Sequence, residues 1–230
     1  MDPAQKAGFF IYNIRMKIIY DLGANNGDDI PYYLTKADKV VAVEANPRLV
    51  AQIQQRFFKD IQSGQLVVEG YAVTVCQKPT IDFYVCDDDV KSKTIEPDEE
   101  IDRYKKITVP TINILDLIKK HGNPFYIKID IEFYDHILLR CLLENQINPA
   151  YISVESHTIE VFCLLVALGK YNKFKLVEGN TVNQVYPEFP HHAAGPFGED
   201  IKEEWLDKDK FFNVLADHKM GWKDIHATYL

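Results

Sequence analysis

The residues best suited to chemistry fall in a few short stretches. "IIYDLGANNGDD" (18–29) delivers Asp21 from an apolar run, then Gly23 and Gly27, then Asp28 and Asp29. "VVAVEANP" (40–47) ends a second apolar run on Glu44, 23 residues after Asp21. A glycine loop that opens a helix often holds a phosphate on the helix N-terminus. Here the G-x-G-x-x-G pattern fails, because its second and third glycine positions hold Asn25 and Asp28, and G-x-x-x-x-G-K is absent. Two carboxylates at the helix start would repel a pyrophosphate. A nucleoside with a positive charge and no phosphate fits better.

S-adenosylmethionine is such a ligand. Glycine lets a backbone approach it closely. Glu44 stands near the ~20-residue offset expected of an acid that accepts both ribose hydroxyls. The adenine would lie across residues 70–72, beside Ala45, Tyr71 and Ala72. Two later stretches, "YIKIDIEFYD" (126–135) and "YISVESH" (151–157), carry Asp130, Glu132, Glu155 and His157. Methyl transfer needs an acceptor within ~3–3.5 Å of the methyl group. It gains from a general base within ~2.6–3.2 Å of the acceptor proton. Asp130 and His157 are candidates for that base, though Asp130 suits the cofactor's amino group equally and His157 suits a helix cap. His191 and His192 lie in a loop dense in Pro and Gly. Asp130, Glu132, Glu155 and His157 are also types that hold magnesium or calcium, but ligand spacing is not readable from sequence and no metal is assigned.

These residues must be positioned by alternating strands and helices. "KIIYDL" (17–22), "KVVAVE" (39–44), "QLVVEGYAV" (65–73), "PFYIKID" (124–130) and "AYISVES" (150–156) read as core strands, and "TIDFYVC" (80–86) as an extra one. Helices are expected from Asp28 to about Lys36, after Asn46 with Pro47 at the first position as far as Gly64, around "HILLRCLLEN", and after Thr158. "DDDVKSK" and "EPDEEIDRYKK" read as polar loop, and "KFKLVEG" with "TVNQVYP" as a terminal antiparallel hairpin. The fold expected is α/β, a three-layer sandwich on a mostly parallel, doubly wound, Rossmann-like sheet. Ligands then bind at the carboxyl ends of the strands, where the acids collect. Residues 187–200 carry Phe189, Pro190, Pro196 and Phe197 and read as a lid or as a strap holding the C-terminal part. Trp205 and Trp222 read as packing residues.

"YDLGANNGDDIPYYL", "VVAVEANPRL", "YIKIDIEFYD" and "YISVESH" in this order, with "DDDVKSKTI" and "TINILDL" between them, resemble FkbM-type S-adenosylmethionine-dependent methyltransferases over residues 17–178. The resemblance implies a class I methyltransferase fold and methyl transfer to oxygen, often a hydroxyl of a sugar or polyketide. It implies that Asp21, Gly23, Ala24, Asn25 and Gly27 hold the methionine part and Glu44 the ribose. It puts Asp130 and Glu132 beside the transferred methyl; with His157, a candidate from its place after the fifth strand, they make up the expected catalytic set. The family usually has glycine where this chain has Phe133, which bears on the acceptor.

With 230 residues the chain suits one domain, expected over 17–230 behind a leader over 1–16. A net charge of −8 argues against nucleic acid or anionic membrane as a partner. Cys76, Cys86, Cys141 and Cys163 form no C-x-x-C pair and read as reduced core thiols of a cytoplasmic protein. A small-molecule or glycan acceptor is expected. The rival readings are a NAD(P)-dependent oxidoreductase and a non-catalytic binding protein that kept the fold.

Overall fold

The apolar runs pair side by side, as strands buried on both faces must. The computed structural model describes residues 16–88, 91–190, 193–217 and 222–230; residues 1–15 of the expected leader, His191 and His192 lie outside them. The first half contains β1 (Ile18–Leu22), α1 (Ile30–Lys36), β2 (Lys39–Val43), α2 (Pro47–Arg56), α3 (Phe58–Ser63), β3 (Leu66–Glu69), β4 (Ala72–Thr74), β5 (Thr80–Cys86) and β6 (Tyr104–Asn113). Then follow α4 (Ile114–His121), β7 (Tyr126–Ile129), α5 (Asp135–Glu144), β8 (Tyr151–Glu155), α6 (Glu160–Ala167), β9 (Lys173–Glu178), α7 (Val182–Val185), α8 (Lys208–Asp217) and β10 (Lys223–Thr228).

The main sheet has seven strands in the order β3-β2-β1-β7-β8-β10-β9. All pairs are parallel except those of β10, which runs antiparallel to both β8 and β9. The expected α/β sandwich is therefore observed, with antiparallel strands at the C-terminal edge. One face carries Tyr20, Leu22, Val41, Val43, Ile127 and Ile129 against α4 and α5. The other carries Ile19, Val40, Ala42 and Tyr126 against Ile30, Tyr33 and Ile53 of α1 and α2. This alternation is the period of two along each strand.

Local signals explain several boundaries. Asn46 accepts the Arg48 amide and caps α2 with Pro47 at its start. Asn113 does the same for α4 through the Leu115 amide. The long helix expected up to Gly64 instead breaks at Phe57, giving α2 and α3. The expected third strand also divides. β3 stays in the main sheet, whereas β4 pairs with β6 in a second sheet completed by β5. Part of the expected polar loop is thus strand, with Tyr104 to Lys106 pairing to β5.

"TVNQVYP" is not the hairpin partner of β9. Its apolar residues recur at Val182, Val185 and Tyr186, which is helical spacing, and it forms α7. The partner is β10, buried at every position. Within 187–200, the segment expected to be a lid or a strap, described residues pack on the body of the fold. Phe197 is buried and stacks on Tyr126 with centroids 3.9 Å apart, and the Ala194 amide donates to Asp29 at 3.0 Å. Trp205 packs as expected, its ring stacked on Tyr151 and its Nε1 donating to Glu199. Of the cysteines only Cys86 is buried and Cys163 is exposed; none forms a disulfide. Among the described residues no helix is long and apolar enough to cross a membrane.

Candidate active site

At the carboxyl ends of β1, β2, β7 and β8 the chain leaves a cavity of about 970 Å³, a size that suits a nucleotide-sized ligand with a small companion. The β1 loop supplies Gly23, Ala24 and Asn25; β2 leads into Glu44 and Ala45; the turn after β3 supplies Tyr71 and Ala72. β7 and β8 lead into Asp130, Glu132, Glu155 and His157, which wall the other end. Of the residues expected to touch a cofactor, Asp21 and Gly27 do not line the cavity. Asp21 is fully buried beneath it.

The loop is pinned from both sides. The amides of Gly23 and Ala24 donate to the Val43 carbonyl at 3.0 Å, and the Asp130 amide donates to the Leu22 carbonyl at 3.0 Å. Glu44 is 7% exposed; its Oε2 accepts the Asn25 amide at 2.9 Å and its Oε1 the Asn46 amide at 2.7 Å. The carboxylate keeps some capacity to accept from a vicinal diol. The donor set thus fits S-adenosylmethionine: a fixed carboxylate for the ribose and an acid-rich wall for a sulfonium and an ammonium.

Burial pushes the Glu44 carboxyl up to about 7, against the pull of the Asn46 and Asn25 amides. The ribose-accepting anion is therefore depleted below neutral pH. Affinity for S-adenosylhomocysteine is expected to rise from pH 6 to pH 8 by roughly tenfold, the gain of a single proton lost from the free protein. Glu44→Gln should weaken binding at pH 8 by about 10–100-fold, as for a hydrogen bond to a charged group, and should flatten the profile. Calorimetric titration at the two pH values measures both, and equal affinities for the two proteins would refute the ribose role.

Beneath the cavity the sheet face is polar. Asp21, Lys128, Ser153, His226 and Lys175 stand directly opposite one another across β1, β7, β8, β10 and β9, each at most 4% exposed. Lys128 Nζ lies 3.2 Å from Asp130, 3.7 Å from Asp21 and 3.7 Å from Asp29. Burial alone would lower its pKa, but Asp130, Asp21 and Asp29 together raise it well above the ordinary value. Burial raises Asp29 to about 7, less than it otherwise would because Lys128 pulls it down.

At the far end, Glu132 and Phe133 both have left-handed backbone, φ 54° and 70°. Glycine is favoured in such a turn, and it is the residue that the resemblance implies where this chain has Phe133. Phe133 tolerates it with its ring stacked on His157, centroids 4.2 Å apart, and the Lys93 ammonium 5.0 Å from its centroid. His157 Nε2 lies 2.9 Å from Glu155 Oε2. Burial lowers the His157 pKa and raises that of Glu132 to about 8. Sequence reasoning missed Lys93 and Tyr104 of the polar stretch, Asn180 and Asn183 near α7, and Trp222, all in the cavity wall. Trp222 was expected only to pack; its ring does pack on Gly179 but also faces the cavity.

A "Methyltransferase FkbM domain" matches residues 21–174. Among solved structures the chain is similar to the methyltransferase FkbM from Methylobacillus flagellatus KT, at 16% identity and TM-score 0.46, covering 71% of this chain and 40% of that one. It is similar to precorrin-6y C5,15-methyltransferase from Geobacter metallireducens GS-15, at 10% identity and TM-score 0.42, covering 93% and 81%. It is also similar to a SAM-dependent O-methyltransferase from Thermotoga maritima, at 11% identity and TM-score 0.43, covering 93% and 59%. The chain thus spans less than half of the Methylobacillus protein. No curated protein matches significantly. With the family match spanning residues 21–174, the chain belongs to the FkbM methyltransferases, whose methyl donor is S-adenosylmethionine.

Proposed function

We propose that the protein transfers the methyl group of S-adenosylmethionine to a hydroxyl oxygen of a sugar or another small metabolite. The observation that carries this reading is the division of one cavity into two ends. Glu44 stands at one, and Glu132, Glu155 and His157 stand at the other, with Asp130 between them. A polar far end suits an acceptor held by hydrogen bonds through its hydroxyls. When bound, the cofactor supplies a methyl group already activated on sulfur. The protein's own work is to fix the acceptor oxygen in line with it, exclude water and receive the hydroxyl proton. Asp130 and His157, both in the cavity wall, are the groups we assign to receive that proton. Burial lowers the His157 pKa, which favours the neutral imidazole that can accept it.

The acidic cavity suits a small molecule or a glycan end as acceptor and disfavours nucleic acid or anionic membrane as a partner. The cytoplasm is the compartment we assign, in keeping with four free cysteines. A thermal-shift comparison of S-adenosylhomocysteine, NAD and NADP tests the cofactor. Stabilisation by the first alone is expected, and stabilisation by the dinucleotides alone would overturn the reading. Screening methyl transfer over hydroxylated and amine acceptors tests the chemistry, with turnover confined to amines as the contrary result.

A further inference from the structure

We propose that Glu132, Glu155 and His157 bind a divalent transition-metal cation, of the manganese class, at the acceptor end of the cavity. Sequence spacing could not decide this, and the fold now supplies the distances. One ligand atom from each residue lies within 4.8 Å of the other two. Ligands at about 2.1 Å from a cation stand up to about 4.2 Å apart, so a small closure completes the shell. Two carboxylate oxygens and one imidazole nitrogen suit manganese, with the open positions left to water or to acceptor oxygens.

A second observation points to a missing cation. Asp224 sits directly opposite Glu155 across the β8–β10 ladder, so both side chains leave the same face of the sheet. Asp224 is 1% exposed, and among the described residues its Oδ1 has no hydrogen-bond partner. Asp135, 2% exposed, leaves its Oδ2 equally unpartnered. The charges of Asp130, Glu132, Asp135 and Asp224 all bear on Glu155. Among the described residues no lysine or arginine nitrogen comes within 4.0 Å of Glu132 or Glu155; the buried Lys128 reaches Asp130 instead. This much negative charge gathered around an imidazole is what a dication would relieve.

The site needs only this geometry and stands apart from the choice of acceptor. If it is filled, His157 is a ligand, and Asp130 is left to receive the acceptor proton. The test is titration of the full-length chain with Mn²⁺ alone, followed by the electron paramagnetic resonance signal of free Mn²⁺. One saturable site per chain is expected. Glu155→Gln and Glu132→Gln should each weaken it at least tenfold, whereas Asp60→Asn, on the distant α3, should leave it unchanged. The partly exposed Glu132 provides a reading should Glu155→Gln fail to fold. Pulsed resonance of the wild-type complex should also show nitrogen directly coupled to manganese, lost in His157→Ala. Absence of saturable binding, equal affinity in the glutamate variants, or a bound ion with no coupled nitrogen would each overturn the proposal. None of these results depends on methyl transfer, so they separate from any failure of the proposed reaction.

Discussion

Lys128→Met is expected to destabilise the protein by about 3–5 kcal/mol, the usual consequence of removing one partner from a buried ion cluster. The side chain is 4% exposed, and Asp21, Asp29 and Asp130 surround its ammonium within 3.7 Å. Asp21 is fully buried, and among the described residues neither of its oxygens has a hydrogen-bond partner, so the Lys128 ammonium at 3.7 Å is its compensation. Methionine keeps most of the volume, which confines the effect to charge. The loss should depend on pH. Burial already raises the carboxyls of Asp21 and Asp29 in the folded state, the latter to about 7. Groups raised on folding favour the folded state at low pH and oppose it as the pH climbs towards their folded values. Removing the cation raises them further, so the deficit should be largest at pH 8 and shrink towards pH 5. Urea denaturation at the two values measures it. A deficit under about 1 kcal/mol, or one that is equal at both, would mean that the lysine does not compensate the cluster. Asp21→Asn in the same background should restore part of the loss.

That polar row was not legible in the sequence, although every residue of it was in view. Along β7 the stretch Tyr126–Ile129 reads as apolar with one lysine, and along β10 Lys223–Thr228 reads as a polar tail. Only the register puts Asp21 against Lys128, and Ser153 against His226. Register is a property of the pairing and has no local signature. What the sequence did carry was local. Apolar runs marked β1, β2, β7 and β8, and Asn46 with Pro47 marked the start of α2. The acids at the ends of those runs then had to meet, because parallel strands share their carboxyl edge.

The same distinction explains the misses at the site. Glu44, Asp130 and Glu132 are legible in the sequence as cavity residues because each follows a recognisable strand. Trp222 was not, since β10 enters the sheet between β8 and β9 from the far end of the chain. Lys93 was not, since its place beside Phe133 follows from the second sheet, where the Lys93 amide donates to the Tyr84 carbonyl. Period-two alternation in "TIDFYVC" announced β5 but not the partner that turns the polar stretch back over the cavity.

Gly23→Ala is expected to abolish measurable S-adenosylhomocysteine binding and to cost several kcal/mol of stability, and the reason is separable into two parts. Gly23 has φ 85°, and a left-handed alanine costs about 1–2 kcal/mol. The second part is contact. A Cβ at this position would sit 1.7 Å from the Asp130 carbonyl oxygen and 2.9 Å from its carbon. These are backbone atoms at the end of β7, held by the Asp130 amide on Leu22, so they cannot turn aside as a side chain would. The loop cannot yield the other way, because the amides of Gly23 and Ala24 both hold the Val43 carbonyl. Relief therefore has to spread β1 from β7, which opens the cofactor end and displaces Asp130 together. Gly64 supplies the control. Its φ is 81°, nearly the same, yet nothing lies within 4 Å of a Cβ built there. Gly64→Ala should lose only the conformational part, about 1–2 kcal/mol, with cofactor affinity unchanged. Thermal denaturation and calorimetric titration of the two variants side by side make the comparison. If Gly23→Ala behaves like Gly64→Ala, the β1 loop does not need its close approach to β7, and the cavity's geometry does not depend on that contact.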